Sequence, residues 1–338
     1  MGAVPCNEGN GCLVHEGSNI RALAADENAL YWVAYGSFGD LDNYANDGEI
    51  WARSHDTGEV RRLAVDLPGP IGVAVTTTHA YAYVDRYWEG GRERIALVRV
   101  PLESESVEAE LVQVDTSPRG SYGKAATSGK GLVSYLDIAY WTFGSEVNTI
   151  SAEASEPILS VDYGQKAGWL SAWPLTADES HLYFLAEIDL DTDEIWRQPH
   201  GPGEREIVAD SRGVNHIRSD GEYLYAVATS EGYDTETDFP GSHQLLRMPK
   251  TGGPWTRLAE RPGTGGYLLE IVGSLYFYDN YPEAGTINIE VLQGTLDDPG
   301  GAERVLSLPE DPPSWVGSEQ GVFWTDGSGI YLRHNVVN

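Results

Sequence analysis

The chain has 338 residues, with 52 acidic side chains against 22 basic ones and a formal charge of −30. So negative a surface excludes nucleic acid and anionic membranes as partners, because both are bound by releasing counterions from a positive face. No run approaches the ~18 consecutive apolar residues of a spanning helix, which excludes membrane insertion from the expectations.

Cations, amines, neutral sugars and basic proteins stay open as partners. No basic-apolar leader is present in the sequence, and the expected location is secreted, periplasmic or cell-surface. Cys6 and Cys12 stand alone near the N-terminus. Their pairing would fit an oxidising compartment, but a count of two does not fix whether they pair.

Taken in chain order, the sequence opens with an extension (1–11) and an isolated strand, "CLVHEG", at 12–17. An apolar-aromatic step then recurs: Leu30-Tyr31-Trp32, Ala80-Tyr81-Ala82, Leu132-Val133-Ser134, Leu182-Tyr183-Phe184, Leu224-Tyr225-Ala226, Leu275-Tyr276-Phe277 and Val322-Phe323-Trp324. Each step follows a small-residue run such as "IRALAAD" or "IGVAVTT" across a tight turn. Downstream comes a strand often written apolar-x-Arg ("EIWARSH", "EIWRQPH", "QLLRMPK"), then a turn and a fourth apolar strand. Four short strands repeated about every 40–50 residues make a propeller blade.

The expected fold is all-β, one seven-bladed β-propeller of four-stranded blades over residues 1–338. Its blades fall at about 19–66, 69–116, 121–163, 169–210, 213–260, 264–308 and 313–334. The seventh copy has only three strands, and an open ring would leave an unpaired edge. Residues 12–17 match the missing outer strand, so the two termini are expected to meet in the last blade.

"LYWV", "LYFL" and above all "VFWTD", with Trp324, Thr325 and Asp326, resemble the second-strand signature of the broad YWTD/NHL-like and TolB-like propeller group, over residues 12–334. The resemblance implies the fold and a binding habit, since propellers host receptors, scaffolds, lyases and hydrolases alike.

Blade geometry sorts the connections onto two faces. Turns joining first to second and third to fourth strands are short. The other connections include long stretches at 36–48, 85–93, 139–146, 187–193, 230–243 and 279–286, rich in aromatic and acidic residues, among them Trp88 and Trp141. Binding residues concentrate on loops carried by a rigid scaffold, so a small-molecule, carbohydrate or protein ligand is expected on the long-loop face. Carboxylates are expected at the ends of second strands: Asp85, Asp137, Glu187, Asp279 and Asp326. They would focus cations toward the channel mouth, whereas the resemblance implies structural aspartates bonding backbone N–H groups.

First-strand entrances place Arg21, Lys124, Trp173, Asn215, His216, Tyr267 and Trp315 near the axis. Trp173 and Trp315 would stack on a sugar or an organic cation, or simply plug the channel. His216 and Tyr267 as an acid/base pair, with Arg21 or Lys124 neutralising charge, would make an eliminating lyase acting on a polysaccharide. The plain alternative is a packed histidine, and the choice between enzyme and binder stays open. Asp189, Asp191 and Asp193 in "DLDTDE", and Asp40 and Asp42 in "GDLDNYAND", alternate as calcium ligands do. Neither stretch has the Gly and Glu that complete a helix-flanked calcium loop, so calcium is expected only at an irregular site, and no other cofactor is expected. Nucleophile-elbow, phosphate-loop and dinucleotide motifs are absent.

Overall fold

The computed structural model describes residues 6–7, 11–37, 46–89, 92–115, 131–143, 146–151, 153–154, 158–162, 175–189, 192–200, 203–210, 213–229, 242–261, 264–281, 289–308 and 314–334. Among the described residues there is no helix, and the strands form seven sheets. Blade 1 comprises Ile20–Ala25, Ala29–Ala34, Gly48–Ser54 and Val60–Leu67, and blade 2 Pro70–Val75, His79–Glu89, Arg92–Pro101 and Glu110–Val114. Blade 3 has Leu132–Tyr135, Ile138–Phe143, Glu146–Ser151 and Ile158–Asp162, and blade 4 Leu175–Ala177, His181–Asp189, Thr192–Pro199 and Glu206–Asp210. Blade 5 has Val214–Ser219, Tyr223–Thr229, His243–Pro249 and Thr256–Arg261, and blade 6 Thr264–Val272, Leu275–Tyr281, Ile289–Thr295 and Asp298–Leu308. Blade 7 takes Ser314–Ser318, Gly321–Thr325 and Gly329–His334 from the end of the chain and Gly11–Glu16 from its beginning.

The second strand of each blade is covered on both sides by neighbouring blades, which explains its near-continuous apolar character. Trp32, Tyr81, Tyr83, Tyr183, Phe184, Tyr225, Tyr276, Phe277 and Phe323 are fully buried there. Seven apolar clusters result, each drawing on two adjacent blades. Tyr31 and Val33 meet Val73 and Ala82 between blades 1 and 2, and the sequence of clusters returns to Trp32 and Phe323 between blades 7 and 1. Burial of apolar surface, the dominant favourable term in folding, thus holds every blade to the next and closes the circle. The chain is a seven-bladed β-propeller.

The N-terminal strand is antiparallel to Gly329–His334, with Cys12 opposite Leu332, Leu13 opposite Tyr331, His15 opposite Ile330 and Glu16 opposite Gly329. Cys12 is disulfide-bonded, and Cys6 faces it in register from the short strand Cys6–Asn7. Closing so short a loop stabilises the fold by about 2 kcal/mol in the chain-entropy model. On the other side of the seam, Val107–Glu108 reaches back from blade 2 to pair in parallel with the outer strand of blade 1. The two blades that meet at the closure therefore each carry a fifth strand, which covers an otherwise open edge.

Blade 3 departs from the sequence reading. Leu132-Val133-Ser134 belongs to its first strand, and the second is Ile138–Phe143. The apolar-aromatic step there is Ala139-Tyr140-Trp141, all buried. The "GKAATSG" stretch read as an inner strand lies outside the described residues. Asp137 consequently sits in the turn between first and second strands, on the face opposite the one expected for it.

Two recurring devices brace the short-turn face. Asp26 and Asp220 each accept backbone N–H groups two and three residues on with Oδ1, and the hydroxyl of Tyr31 or Tyr225 with Oδ2. Asp178 caps Ser180 and His181 in the same way and has the Lys250 ammonium of blade 5 at 2.6 Å. Burial works to raise its pKa, but Lys250 and the capped N–H groups outweigh this and hold it at about 2. The third-strand arginines form the second device. Arg99 grips Glu110 in its own blade and donates to Ala154 O in the next. Arg197 does likewise with Glu206 and Lys250 O.

Candidate functional site

Connections on the two faces differ in length. Turns from first to second strand span only two or three residues (26–28, 76–78, 136–137, 178–180, 220–222, 273–274, 319–320). On the opposite face, second and third strands are joined by 35–47 in blade 1, 230–242 in blade 5 and 282–288 in blade 6. The stretches 85–93, 139–146 and 187–193, expected as loops, are instead mostly paired strand, leaving only 90–91, 144–145 and 190–191 as connections on this face in blades 2, 3 and 4. Blades 2 and 3, and 3 and 4, are joined there by 115–131 and 163–174.

At this face, blades 1 and 2 assemble a cation, a phenol and a carboxylate. Arg21 on the inner strand of blade 1 lies over the Tyr35 ring, 5.3 Å from its centre. The Tyr35 hydroxyl donates to Asp85 Oδ2 at 3.1 Å. Tyr35 and Asp85 occupy the same blade position one repeat apart, so the ring geometry brings equivalent residues of adjacent blades together. The backbone is shaped around them. Asp85 N donates to Gly69 O at 3.0 Å, and Gly69 has φ +65°, where a Cβ would lie 2.5 Å from Asp85 Oδ1 and 3.1 Å from the Tyr35 ring. Only glycine fits that corner. Asn19, itself at φ 55°, donates through its amide to Gly36 O at 2.7 Å and so fixes the start of the long blade 1 connection.

A second ionisable group lies at the hub between blades 5 and 6. Arg218 pairs with Glu270 through bonds of 2.9 and 3.3 Å, and both side chains are largely buried. His216 is buried, and its Nδ1 accepts the Leu269 N–H at 3.2 Å. With Nδ1 an acceptor, the ring proton sits on Nε2. The approach of Arg218 Nη1 to Nε2 at 3.4 Å is therefore a contact between two donors. Arg218 and Glu270 are legible as rare charges in inner-strand runs that are otherwise small or apolar, "NHIRSDG" and "GYLLEIV", yet their pairing depends on blade adjacency.

The remaining expected site residues divide by position. Arg21 and His216 stand on the inner strands of blades 1 and 5. Asn215 is half-buried beside His216. Trp315 and Trp141 are buried in the core, and Trp141, on a second strand rather than in a loop, donates its indole N–H to Gln113 of blade 2 at 2.8 Å. Asp326 caps a turn: Oδ1 accepts from Ser328 N and Gly329 N, and Oδ2 from the Tyr331 hydroxyl. Burial alone would raise its pKa, but these bonds lower it. Asp137 pairs with Thr77 of blade 2. Lys124, Trp173, Asp40, Asp42 and Asp191 lie outside the described residues, as do the side chains of Trp88, Glu187, Asp189, Asp193, Tyr267 and Asp279. Among the described residues no three metal-ligating side chains cluster, and no helix is long and apolar enough to cross a membrane.

No protein-family model matches the sequence, and no curated relative does. Solved structures similar to it are propellers of low identity. Virginiamycin B lyase from Staphylococcus aureus is 10% identical with a TM-score of 0.58, the match covering 96% of this chain and 97% of that one. A putative TolB from Agrobacterium tumefaciens is 13% identical with a TM-score of 0.52, covering 86% and 99%. A prolyl endopeptidase is 10% identical with a TM-score of 0.57, covering 96% of this chain. The chain spans about half, 51%, of that endopeptidase's length. At such identities the likeness is one of fold.

Proposed function

We propose that the chain is an extracellular or envelope-associated binding propeller that recognises a carbohydrate, cation or protein ligand on its long-loop face, with Arg21, Tyr35 and Asp85 in the contact. The observation that carries this reading is the asymmetry of the connections: first-to-second-strand turns of two or three residues and third-to-fourth connections of at most eight on one face, and stretches such as 35–47 and 230–242 on the other. The bonded Cys12 supports an oxidising location. Arg21 and Asp85 offer opposite charges beside an aromatic face, a combination suited to hydroxyl-rich or zwitterionic ligands.

One observation favours a second reading, an eliminating enzyme: His216, Arg218 and Glu270 gather a histidine, a cation and a carboxylate within a few ångströms. It comes second because the His216 Nδ1 is committed to a backbone N–H. A thermal-shift screen of calcium chloride, neutral hexoses and oligogalacturonate tests both readings. A ligand at a hundredfold its Kd stabilises by about 2.7 kcal/mol, and with an unfolding entropy near 0.7 kcal/mol/K for a chain of this size that raises Tm by about 4 °C. The binding reading predicts a shift that disappears in Asp85→Asn and Tyr35→Ala but persists in His216→Gln. A shift lost only in His216→Gln, or product formation from oligogalacturonate, would overturn it in favour of the enzyme.

A further inference from the structure

The motif Glu-Ile-Trp occurs on the third strand of two blades, as Glu49-Ile50-Trp51 in blade 1 and Glu194-Ile195-Trp196 in blade 4. In both, the Glu and Trp are two residues apart on a strand and project from one sheet face. Blade 1 completes the pair. Trp51 Nε1 donates to Glu49 Oε2 at 2.9 Å, and Arg62 Nη1 donates to Glu49 Oε1 at 2.6 Å. The same guanidinium lies 5.6 Å from the centre of the Trp51 ring. Arg62 stands directly opposite Trp51 on the outer strand.

Blade 4 keeps the register, including the irregularity just before the tryptophan, but places Ile207 opposite Trp196 where blade 1 has Arg62. Three features coincide at that point. Glu194 Oε2 and Trp196 Nε1 are both buried without a hydrogen-bond partner. Ile207 is 55% exposed, one of few large apolar side chains so exposed among the described residues. Glu194 also faces a like charge, Asp210, across the strands, where blade 1 is apolar. The guanidinium of Arg205 lies over the Trp196 ring face at 4.9 Å, and Arg197 is engaged by Glu206 of the same blade. A buried carboxylate oxygen and a buried indole N–H without partners each carry an uncompensated desolvation cost, so a group that satisfies both recovers it on arrival.

We propose that the outer part of blade 4 is a docking site for an arginine presented by a partner protein segment, which supplies in trans the guanidinium that Arg62 supplies to blade 1. The guanidinium takes one oxygen of Glu194 and turns the carboxylate so that the other accepts the Trp196 N–H, while an apolar neighbour in the segment covers Ile207. A planar, doubly donating group fits this arrangement better than an ammonium, and the −30 charge of the chain steers a basic partner toward it. The site lies on the blade flank, so it stands independently of the ligand proposed for the long-loop face.

The test uses the full chain, 15N-labelled at tryptophan, with the Trp196 indole signal assigned through Trp196→Phe. It is titrated with the capped tripeptide Val-Arg-Val, its citrulline and lysine counterparts, and free arginine amide. The arginine peptide is expected to shift the Trp196 N–H signal and to bind at least tenfold more tightly than the citrulline or lysine peptide. It should also outbind arginine amide, which separates a partner segment from a free guanidinium metabolite. Ile207→Arg should fill the position in cis, raising Tm and weakening the peptide at least tenfold. Arg62→Ile should add a second binding equivalent. Equal binding of the citrulline peptide, or binding and Tm unchanged in Ile207→Arg, would overturn the proposal, as would an unmoved Trp196 signal at millimolar peptide.

Discussion

Arg99 offers the sharpest test of how the blades are held together. Its side chain is 9% exposed, donates to Glu110 at 2.8 and 3.1 Å, and crosses to blade 3 through Nη1 to Ala154 O at 2.8 Å. Glu110 is 59% exposed, so its ion pair is worth at most about 1 kcal/mol. The charged bond to the next blade is worth about 1.5–3 kcal/mol, and the buried aliphatic stem adds about 1–2 kcal/mol. Arg99→Ala should therefore destabilise by about 4 kcal/mol. With an unfolding entropy near 0.7 kcal/mol/K for a chain of this size, Tm should fall by about 5–6 °C in scanning calorimetry. Glu110→Gln should cost about 1 °C, and Arg99→Lys should fall between, because an ammonium cannot reach both partners in fork geometry. If Arg99→Ala costs under about 1 kcal/mol, or if Glu110→Gln costs as much, the residue is a surface ion pair and the account of blade coupling is wrong.

Two further predictions concern the seam and its neighbour. His15 lies on the closing strand, 4.7 Å from the Trp32 ring and 5.9 Å from that of Trp51. Burial and then Arg53 lower its pKa below 6.5, with Glu16 partly opposing. A depressed histidine stabilises the fold fully above the unfolded value and loses that contribution as pH falls from about 6.5 through the folded value, so Tm should decline in that window and His15→Phe should flatten the decline. A profile unchanged by the substitution would refute this. Gly317→Ala would set a Cβ 2.5 Å from the buried Phe277 ring between blades 6 and 7. Its expected cost is about 1–3 kcal/mol, read in urea unfolding, and a neutral outcome would mean that this interface is loosely packed.

The fold was legible because second strands are buried on both faces, which writes Leu30-Tyr31-Trp32 and Leu182-Tyr183-Phe184 as near-continuous apolar runs at a fixed period. The same rule failed at Leu132-Val133-Ser134, where an apolar inner strand imitates a second strand and the aromatic step comes a few residues later. Arg99 and Arg197 were visible as a recurring letter on the third strand, but the carbonyls they reach in the next blade, Ala154 O and Lys250 O, lie more than fifty residues away. Asp326 was legible through the resemblance as a structural aspartate bonding backbone N–H groups, but which groups it caps depends on Ser328 and Gly329 folding back onto it. Tyr35 escaped notice as a partner of Arg21 and Asp85 because only the face-to-face packing of consecutive blades sets equivalent positions side by side.

The central claim is that the two ends of the chain seal one ring, and removal of residues 1–17 tests it most directly. The lost ladder to Gly329–His334, the His15 ring contacts and the disulfide together amount to about 5–7 kcal/mol, which corresponds to a Tm lower by about 7–10 °C. A shortened chain that melts at the temperature of the full one would contradict the account.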